Sequence, residues 1–352
     1  MSGSTARGRA SGPVTVFDAE QRAAEVTWYL RLRNLMRDFF GSTPPPRDLA
    51  KTEDSPVVAP TLTLLPGCLQ LRVGVFSTTG RYREHNEDNY FVPGRKSVRA
   101  DLPSSESSGE MAVASTLDTC NLFIVADGMG GQQAGEQASG MAIEIIPRAI
   151  DKRLPPGETS PKAIQTAIRE AVAEANQEIL GSSGAVPEFS SMGTTVVLTL
   201  FRNDHVYVAG IGDSRAYRLR GEHFEQLTKD HSLADALVDA GTITKEELPN
   251  HKFKNYLYLY LGSRDARGGP EDVRVLDIAP GDRFLLATDG LTGVVHDDDL
   301  KRDLQTCDDP QRAARVLTNR ALDNDSKDNI TCLVIHVIRG AEPSAAEGVK
   351  PS

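Results

Sequence analysis

From residue 70 onward the chain is written in short apolar runs, and five of them meet an aspartate at one end. NLFIVA (121–126) runs into Asp127-Gly128, HVYVAGI (205–211) into Gly212-Asp213, and RFLLAT (283–288) into Asp289-Gly290. Asp88 stands just before NYFV (89–92), and Asp328 just before ITCLVIHVI (330–338). LRVGVF (71–76), TTVVLTLF (194–201) and AYRLR (216–220) share the same texture. Runs this short and this rich in Val, Ile, Phe and Tyr predict β-strands. Several follow one another with no helix-length segment between them. That argues for α+β layering on antiparallel sheets rather than strict βαβ alternation.

Helices are expected between some of the strands. Over 161–180, Ile164, Ile168, Ala171, Val172, Ala175 and Ile179 fall on one face. Ser160 can cap the start, Pro161 suits the first helical position, and Gly181 predicts the stop. Residues 133–151 and 310–322 also read as helical, the latter with Asp309 as cap and Pro310 after it. Residues 94–119, with SSESSGE, read as an inserted polar loop. Tyr256, Tyr258 and Tyr260 alternate as one face of a strand would.

Ahead of this region the chain has a different character. The first 12 residues are polar, without the apolar core of a secretory leader, and Ser2 excludes N-myristoylation. Over 18–40 a helix is expected, with Leu32, Leu35, Met36, Phe39 and Phe40 in one stripe. Six arginines against four acids give residues 1–40 a net charge of +2. Such a helix either packs on its own domain or docks a partner or membrane surface; the small arginine excess favours the first. Residues 41–67, with GSTPPP, read as an extended linker. The organisation expected is thus an extension over 1–69, a catalytic domain over 70–340 and a disordered tail over 341–352.

Composition removes several function classes. A net charge of −10 speaks against a nucleic-acid partner, whose phosphates demand clustered Lys and Arg. No run approaches the 18 or so apolar residues of a membrane span. Cys68, Cys120, Cys307 and Cys332 form no CxxC pair, which fits reduced thiols in a cytoplasmic protein.

An aspartate at one strand end is ordinarily a turn residue. Five with the same placement point further. Carboxylates gathered in one place raise one another's pKa, and a bound cation resolves the conflict. Oxygen-only ligands select hard ions, Mg²⁺ or Mn²⁺, and neither HExxH nor cysteine-cluster spacing for zinc is present. Asp127-Gly128-Met129-Gly130-Gly131 could suggest a dinucleotide loop, but Gln133 stands where GxGxxG needs its third glycine, and no GK[ST] follows. Glycines here instead let backbone carbonyls and water approach an ion.

The motifs in order carry a resemblance. Arg83-x-x-Asn86-Glu87-Asp88, Val125-Ala126-Asp127-Gly128-Met129-Gly130-Gly131, Met192-Gly193-Thr194-Thr195, Gly212-Asp213-Ser214-Arg215, Leu227-Thr228-Lys229-Asp230-His231-Ser232, Ala287-Thr288-Asp289-Gly290-Leu291 and Asp328-Asn329 follow one another between about residues 70 and 340. The chain resembles the metal-dependent protein serine/threonine phosphatases of the protein phosphatase 2C type, in their bacterial form. The resemblance implies a four-layer α-β-β-α sandwich, two antiparallel sheets flanked by helices. It implies Asp127 as the carboxylate bridging two Mg²⁺ or Mn²⁺ ions, with the Gly128 carbonyl near one of them. Asp289 and Asp328 match further ligands, Asp88 a direct or water-mediated one with Glu87 beside it, and Asp213 a third, weaker metal site. Arg83 takes the place of the phosphate-binding arginine.

The same resemblance implies hydrolysis of phosphoserine and phosphothreonine in proteins by metal-activated water, reversing a Ser/Thr kinase. A phosphatase-like module that binds phosphoproteins without turning them over is the alternative. The intact Asp88, Asp127, Asp289 and Asp328 disfavour it. A Mg²⁺-nucleotide switch lacks its P-loop. The proton donor to the leaving group stays open: Met129 follows the Asp-Gly pair where some relatives have His, and His85 and His231 are candidates by motif proximity alone. Between Asp230 and Gly262 the family carries a mobile flap. Leu259 stands there where relatives often have a basic residue.

Overall fold

A computed structural model of the chain describes residues 69–93, 110–111, 121–185 and 192–339. These lie in one compact unit, Thr63–Ser352. The expected helix over 18–40, the linker 41–67, the tail from Ala341, Cys68, Cys120 and all but two residues of the 94–119 insertion lie outside the described residues.

The apolar runs become strands: β1 (Leu69–Thr78), β2 (Asn89–Phe91), β3 (Glu110–Met111), β4 (Asn121–Ala126), β5 (Gly128–Met129), β6 (Gly193–Thr194) and β7 (Val196–Arg202). They continue as β8 (His205–Ile211), β9 (Arg215–Arg220), β10 (His223–Gln226), β11 (Arg274–Asp277), β12 (Arg283–Ala287) and β13 (Ile330–Arg339). One sheet has the order β10-β9-β12-β13-β1-β3, the other β11-β8-β7-β4-β2, and β5-β6 form a short ribbon. Every pairing is antiparallel.

Alternation along the strands divides the core into three layers. Leu71, Val73 and Val75 of β1, Phe123 and Val125 of β4, Phe284 and Leu286 of β12, and Leu333 and Ile335 of β13 fill the space between the sheets. Phe123, Phe201 and Phe284 meet edge to face there, with ring centroids 5.8 and 5.2 Å apart, joining one sheet to the other. The intervening residues face outward. Leu122, Ile124, Leu198 and Tyr207 pack under the helices α1 (Gln132–Arg153) and α2 (Pro161–Ala185). Leu285, Ala287, Cys332 and Val334 lie in the third layer, beside α6 (Pro310–Asp323). The α-β-β-α sandwich follows directly from two-faced strands covered on both outer sides.

Some elements depart from expectation. Helix α2 runs through Gly181 to Ala185. A glycine inside a helix costs only about 1 kcal/mol, and the fully buried face from Ile164 to Ile179 outweighs it. Strands β10 and β11, the short helices α3 (Leu233–Asp239) and α4 (Asp289–Thr292), and α5 (Asp297–Thr306) gave no periodic signal, being brief and polar. Glu110–Met111 pairs with β1 inside what read as a polar loop. Tyr256, Tyr258 and Tyr260 form no strand, since only isolated bridges, Ser232 to Leu257 and Thr194 to Leu261, hold that segment. The intervening Leu259 and Leu261 are buried in the α1–α2 layer instead, so Leu259 is a core residue.

Register places the acids. Asn89 opposes Ala126, so Asp88 and Asp127 leave the same edge of one sheet. Val125 opposes Val197, and Val196 opposes Ile211, bringing the Gly212-Asp213 corner to that edge as well. In the other sheet Thr78 opposes Ile330, and Ala287 opposes both Cys332 and Arg215. Since residues 79–88 and 212–214 each carry the chain from one sheet to the other, the two edges face a common space.

Candidate active site

Asp127 and Asp88 are held by bonds from segments distant in the chain. The main chain of Asp127 is clamped by the Met192–Thr195 stretch: its N–H donates to Thr195 Oγ1 at 3.0 Å, and its carbonyl accepts from Thr195 N and Thr194 Oγ1, both at 2.8 Å. Thr195 Oγ1 in turn meets Ser214 Oγ at 2.7 Å, tying Asp127 to the Asp213 corner. Asp88 Oδ2 accepts from Thr288 Oγ1 at 3.0 Å, and that hydroxyl accepts from the N–H of Thr331. One hydroxyl therefore links the segments of Asp88, Asp289 and Asp328.

Asn329 fastens the loop that precedes Asp88. Its side-chain oxygen accepts from Glu87 N at 2.9 Å, and its amide donates to the carbonyls of Thr79 and His85 at 3.1 and 2.9 Å. From the other side, Ser139 of α1 donates to the Glu87 carbonyl at 2.6 Å. Two glycines permit the close approaches. A Cβ on Gly290 would lie 1.8 Å from the Asn329 carbonyl oxygen, and one on Gly128 would lie 2.3 Å from that of Gly135. Asn329→Ala is expected to lower stability by about 2–3 kcal/mol, because one N–H and two carbonyls lose their partner together. Urea unfolding of the variant measures it.

The side chains converge at this edge, and their electrostatics report it. Asp127 is pushed well above the usual carboxylate range, by burial first and then by Asp88, Asp289, Asp213 and Asp328. Asp88 is raised to about 8 by burial, with Asp289 and Asp328 adding to it. Asp289 rises to about 6 through burial and Asp328, restrained by a hydrogen bond with Asp127. Asp213 is raised by burial, Asp289 and Asp230. Glu87 is raised as well, by burial foremost. Thus Asp88, Asp127, Asp213, Asp289 and Asp328 lie within electrostatic reach of one another.

Arg83 stands at the rim. Its Nη2 donates to Asp328 Oδ2 at 2.7 Å, and 48% of its side chain remains open to solvent. His231 is engaged elsewhere. Its N–H donates to the Gly212 carbonyl at 3.0 Å, its Nδ1 pairs with the Gly212 main chain at 3.1 Å, and its ring rests edge-on against Tyr258. It shapes the corner before Asp213. His85 is exposed, anchored through its carbonyl.

Sequence reasoning missed the hydroxyls and amides of Thr195, Ser214, Thr288, Asn329 and Thr331, and the buried Arg215–Asp230 pair at 2.7 Å. For Ser214, Thr288 and Asn329 the available signal was a polar side chain next to an acid.

Among the described residues no three His, Cys, Asp or Glu side chains form a finished cage for an ion. The donor set nevertheless fits hard divalent ions. It is oxygen only, and Asp88 Oδ1 and Asp289 Oδ1 are buried with no hydrogen-bond partner. Magnesium-type ions are commonly held by one or two carboxylates, with water completing the shell.

Residues 94–328, more than half of the chain, match the family model described as Protein phosphatase 2C. The chain belongs to the protein phosphatase 2C family. The motif around Arg83 and Asp88 lies ahead of that match, yet packs into the same site. The serine/threonine phosphatase stp of Listeria monocytogenes is 34% identical over 257 residues, which are 73% of this chain and 92% of that protein. The crystal structure of the Mycobacterium tuberculosis serine/threonine phosphatase PstP/Ppp is 30% identical, with a TM-score of 0.62 over 77% of this chain and all of that one. A structure of the PstP catalytic domain in complex with two manganese ions is also 30% identical, with a TM-score of 0.60 over 77% of this chain and 99% of that one. The sandwich is therefore that of a protein phosphatase 2C fold.

Proposed function

We propose that this chain hydrolyses phosphoserine and phosphothreonine in proteins, using divalent ions held by Asp88, Asp127, Asp289 and Asp328 with the Gly128 carbonyl. Asp213 would serve a third, weaker position. The observation that carries this reading is the pair of buried, unpartnered oxygens on Asp88 and Asp289 at the meeting point of the acids. Buried charge without a partner is expensive, and an ion offsets it. The manganese-bound relative supports Mn²⁺ or Mg²⁺ as the ion.

When bound, such ions act as Lewis acids and lower the pKa of water toward neutrality. The chain's own residues do the rest. Thr195 and Ser214 hold Asp127 and Asp213 in register, Thr288 orients Asp88, and Asn329 sets the Arg83 loop. The half-exposed guanidinium of Arg83 can face two phosphoryl oxygens with its planar fork while Asp328 fixes its inner edge. Its substrates would be the products of a Ser/Thr kinase. No helix among the described residues is long and apolar enough to cross a membrane. Cys307 and Cys332 are free and buried, as a reducing cytoplasm allows.

Phosphate release from a phosphothreonine peptide tests the proposal. Turnover is expected with Mn²⁺, should vanish with excess chelator and should return when Mn²⁺ is restored. Turnover that survives the chelator, or ATP hydrolysis in place of peptide turnover, would overturn it.

A further inference from the structure

Arg81, Tyr82 and Arg83 lie against the end of α6 and the turn that links it to β13, and each meets an acid there. Arg81 Nη2 is 3.5 Å from Asp323 Oδ1, the Tyr82 hydroxyl donates to Asp325, and Arg83 Nη2 donates to Asp328 at 2.7 Å. Lys327 closes the strip, with its Nζ 3.7 Å from the Tyr82 ring centroid and 2.5 Å from Asp325. The innermost rung belongs to the acidic cluster, and the other two lead away from it over the surface.

Tyr82 is 54% exposed, the most exposed large apolar side chain among the described residues. A Tyr ring offers a large, rigid contact area beside an active site. Its edge is fixed by Asp325 and one face by Lys327, so its orientation is set before any ligand arrives. A pre-set aromatic loses little conformational entropy on contact. The charges around it are already matched, Arg81 with Asp323 and Lys327 with Asp325, so the surface offered to a ligand is the ring.

We propose that Tyr82 is a specificity-determining residue, its ring receiving an apolar side chain that neighbours the phosphorylated residue of a substrate peptide. The proposal rests on the phosphatase reading and on Arg83 facing the phosphoryl group. Consecutive Cα atoms are about 3.8 Å apart, and an extended peptide advances about 3.3 Å per residue. Arg83 and Tyr82 are consecutive in the chain, so a peptide whose phosphate meets Arg83 has its adjacent residue within reach of the Tyr82 ring.

The test uses the full chain with Mn²⁺ and two phosphothreonine peptides of equal length. One has leucines flanking the phosphothreonine, the other glycines. The wild type should favour the leucine peptide by roughly tenfold in kcat/KM, the scale of an apolar contact of this kind. Tyr82→Ala should bring that ratio near one through KM, with Tyr82→Gln serving if the alanine variant does not fold. Tyr82→Phe should keep the ratio, because the ring remains. A wild type without preference overturns the proposal, as does a preference that survives loss of the ring. A Phe variant that falls as far as Ala, or a loss confined to kcat, would show a structural rung instead and equally overturn it. Failure of the wild type on both peptides would take down the phosphatase reading itself, whereas turnover without preference leaves that reading standing.

Discussion

Asp127→Asn is expected to lower phosphopeptide turnover by roughly three orders of magnitude, a loss of about 4 kcal/mol in transition-state stabilisation. The substitution keeps the size of the side chain and removes its charge. Asp127 is the right place for it because its main chain is held independently, by Thr194 and Thr195. The segment stays put while an ion ligand is lost. The same change should stabilise the metal-free protein. The carboxyl of Asp127 is pushed upward by burial and four neighbouring aspartates, so in its charged form it works against folding. Phosphate release and urea midpoints taken in chelator measure the two effects together. A variant within tenfold of wild-type activity, or one less stable than wild type without metal, would contradict the assignment.

The second expectation concerns metal, pH and stability. Folded Asp88 holds its proton up to about pH 8 and Asp289 to about pH 6, whereas an unfolded aspartate releases it near 3.8. Between these values the folded chain binds more protons than the unfolded one, so stability without metal falls as pH rises. The fall should begin near pH 4 and continue to about pH 8. Ions bind the deprotonated carboxylates, so their affinity grows over the same window. Mn²⁺ at about a hundred times its Kd would add roughly 2.7 kcal/mol, or about 5–10 °C in Tm. The shift should be several-fold larger at pH 8 than at pH 5. Thermal melts with Mn²⁺ and with chelator across that range give the answer, and a metal-induced shift independent of pH would contradict it.

The strands, their antiparallel pairing and the acids at their ends were legible because each is written locally. Period-2 alternation in NLFIVA and HVYVAGI fixes two apolar faces, and a strand with two apolar faces needs cover on both sides. Helix α2 announced itself by an apolar stripe of period 3.6, and α6 by its Asp309 cap and Pro310. Segments that borrow their structure from neighbours stayed hidden. Strand β11 has two apolar residues and exists by pairing with β8, and Leu259 reads as part of an exposed tyrosine run until the α1–α2 layer buries it.

Sequence alone named the candidates for the site: Asp88, Asp127, Asp213, Asp289 and Asp328, each tied to one strand end, and Arg83 through the family resemblance. Tertiary structure alone decided what orders them. Asn329 bridges to residues some 240 positions away, and the Thr288 hydroxyl reaches Asp88 across 200. A hydrogen bond carries no periodicity along the chain, so a partner that distant is visible only once the sheets have closed on each other.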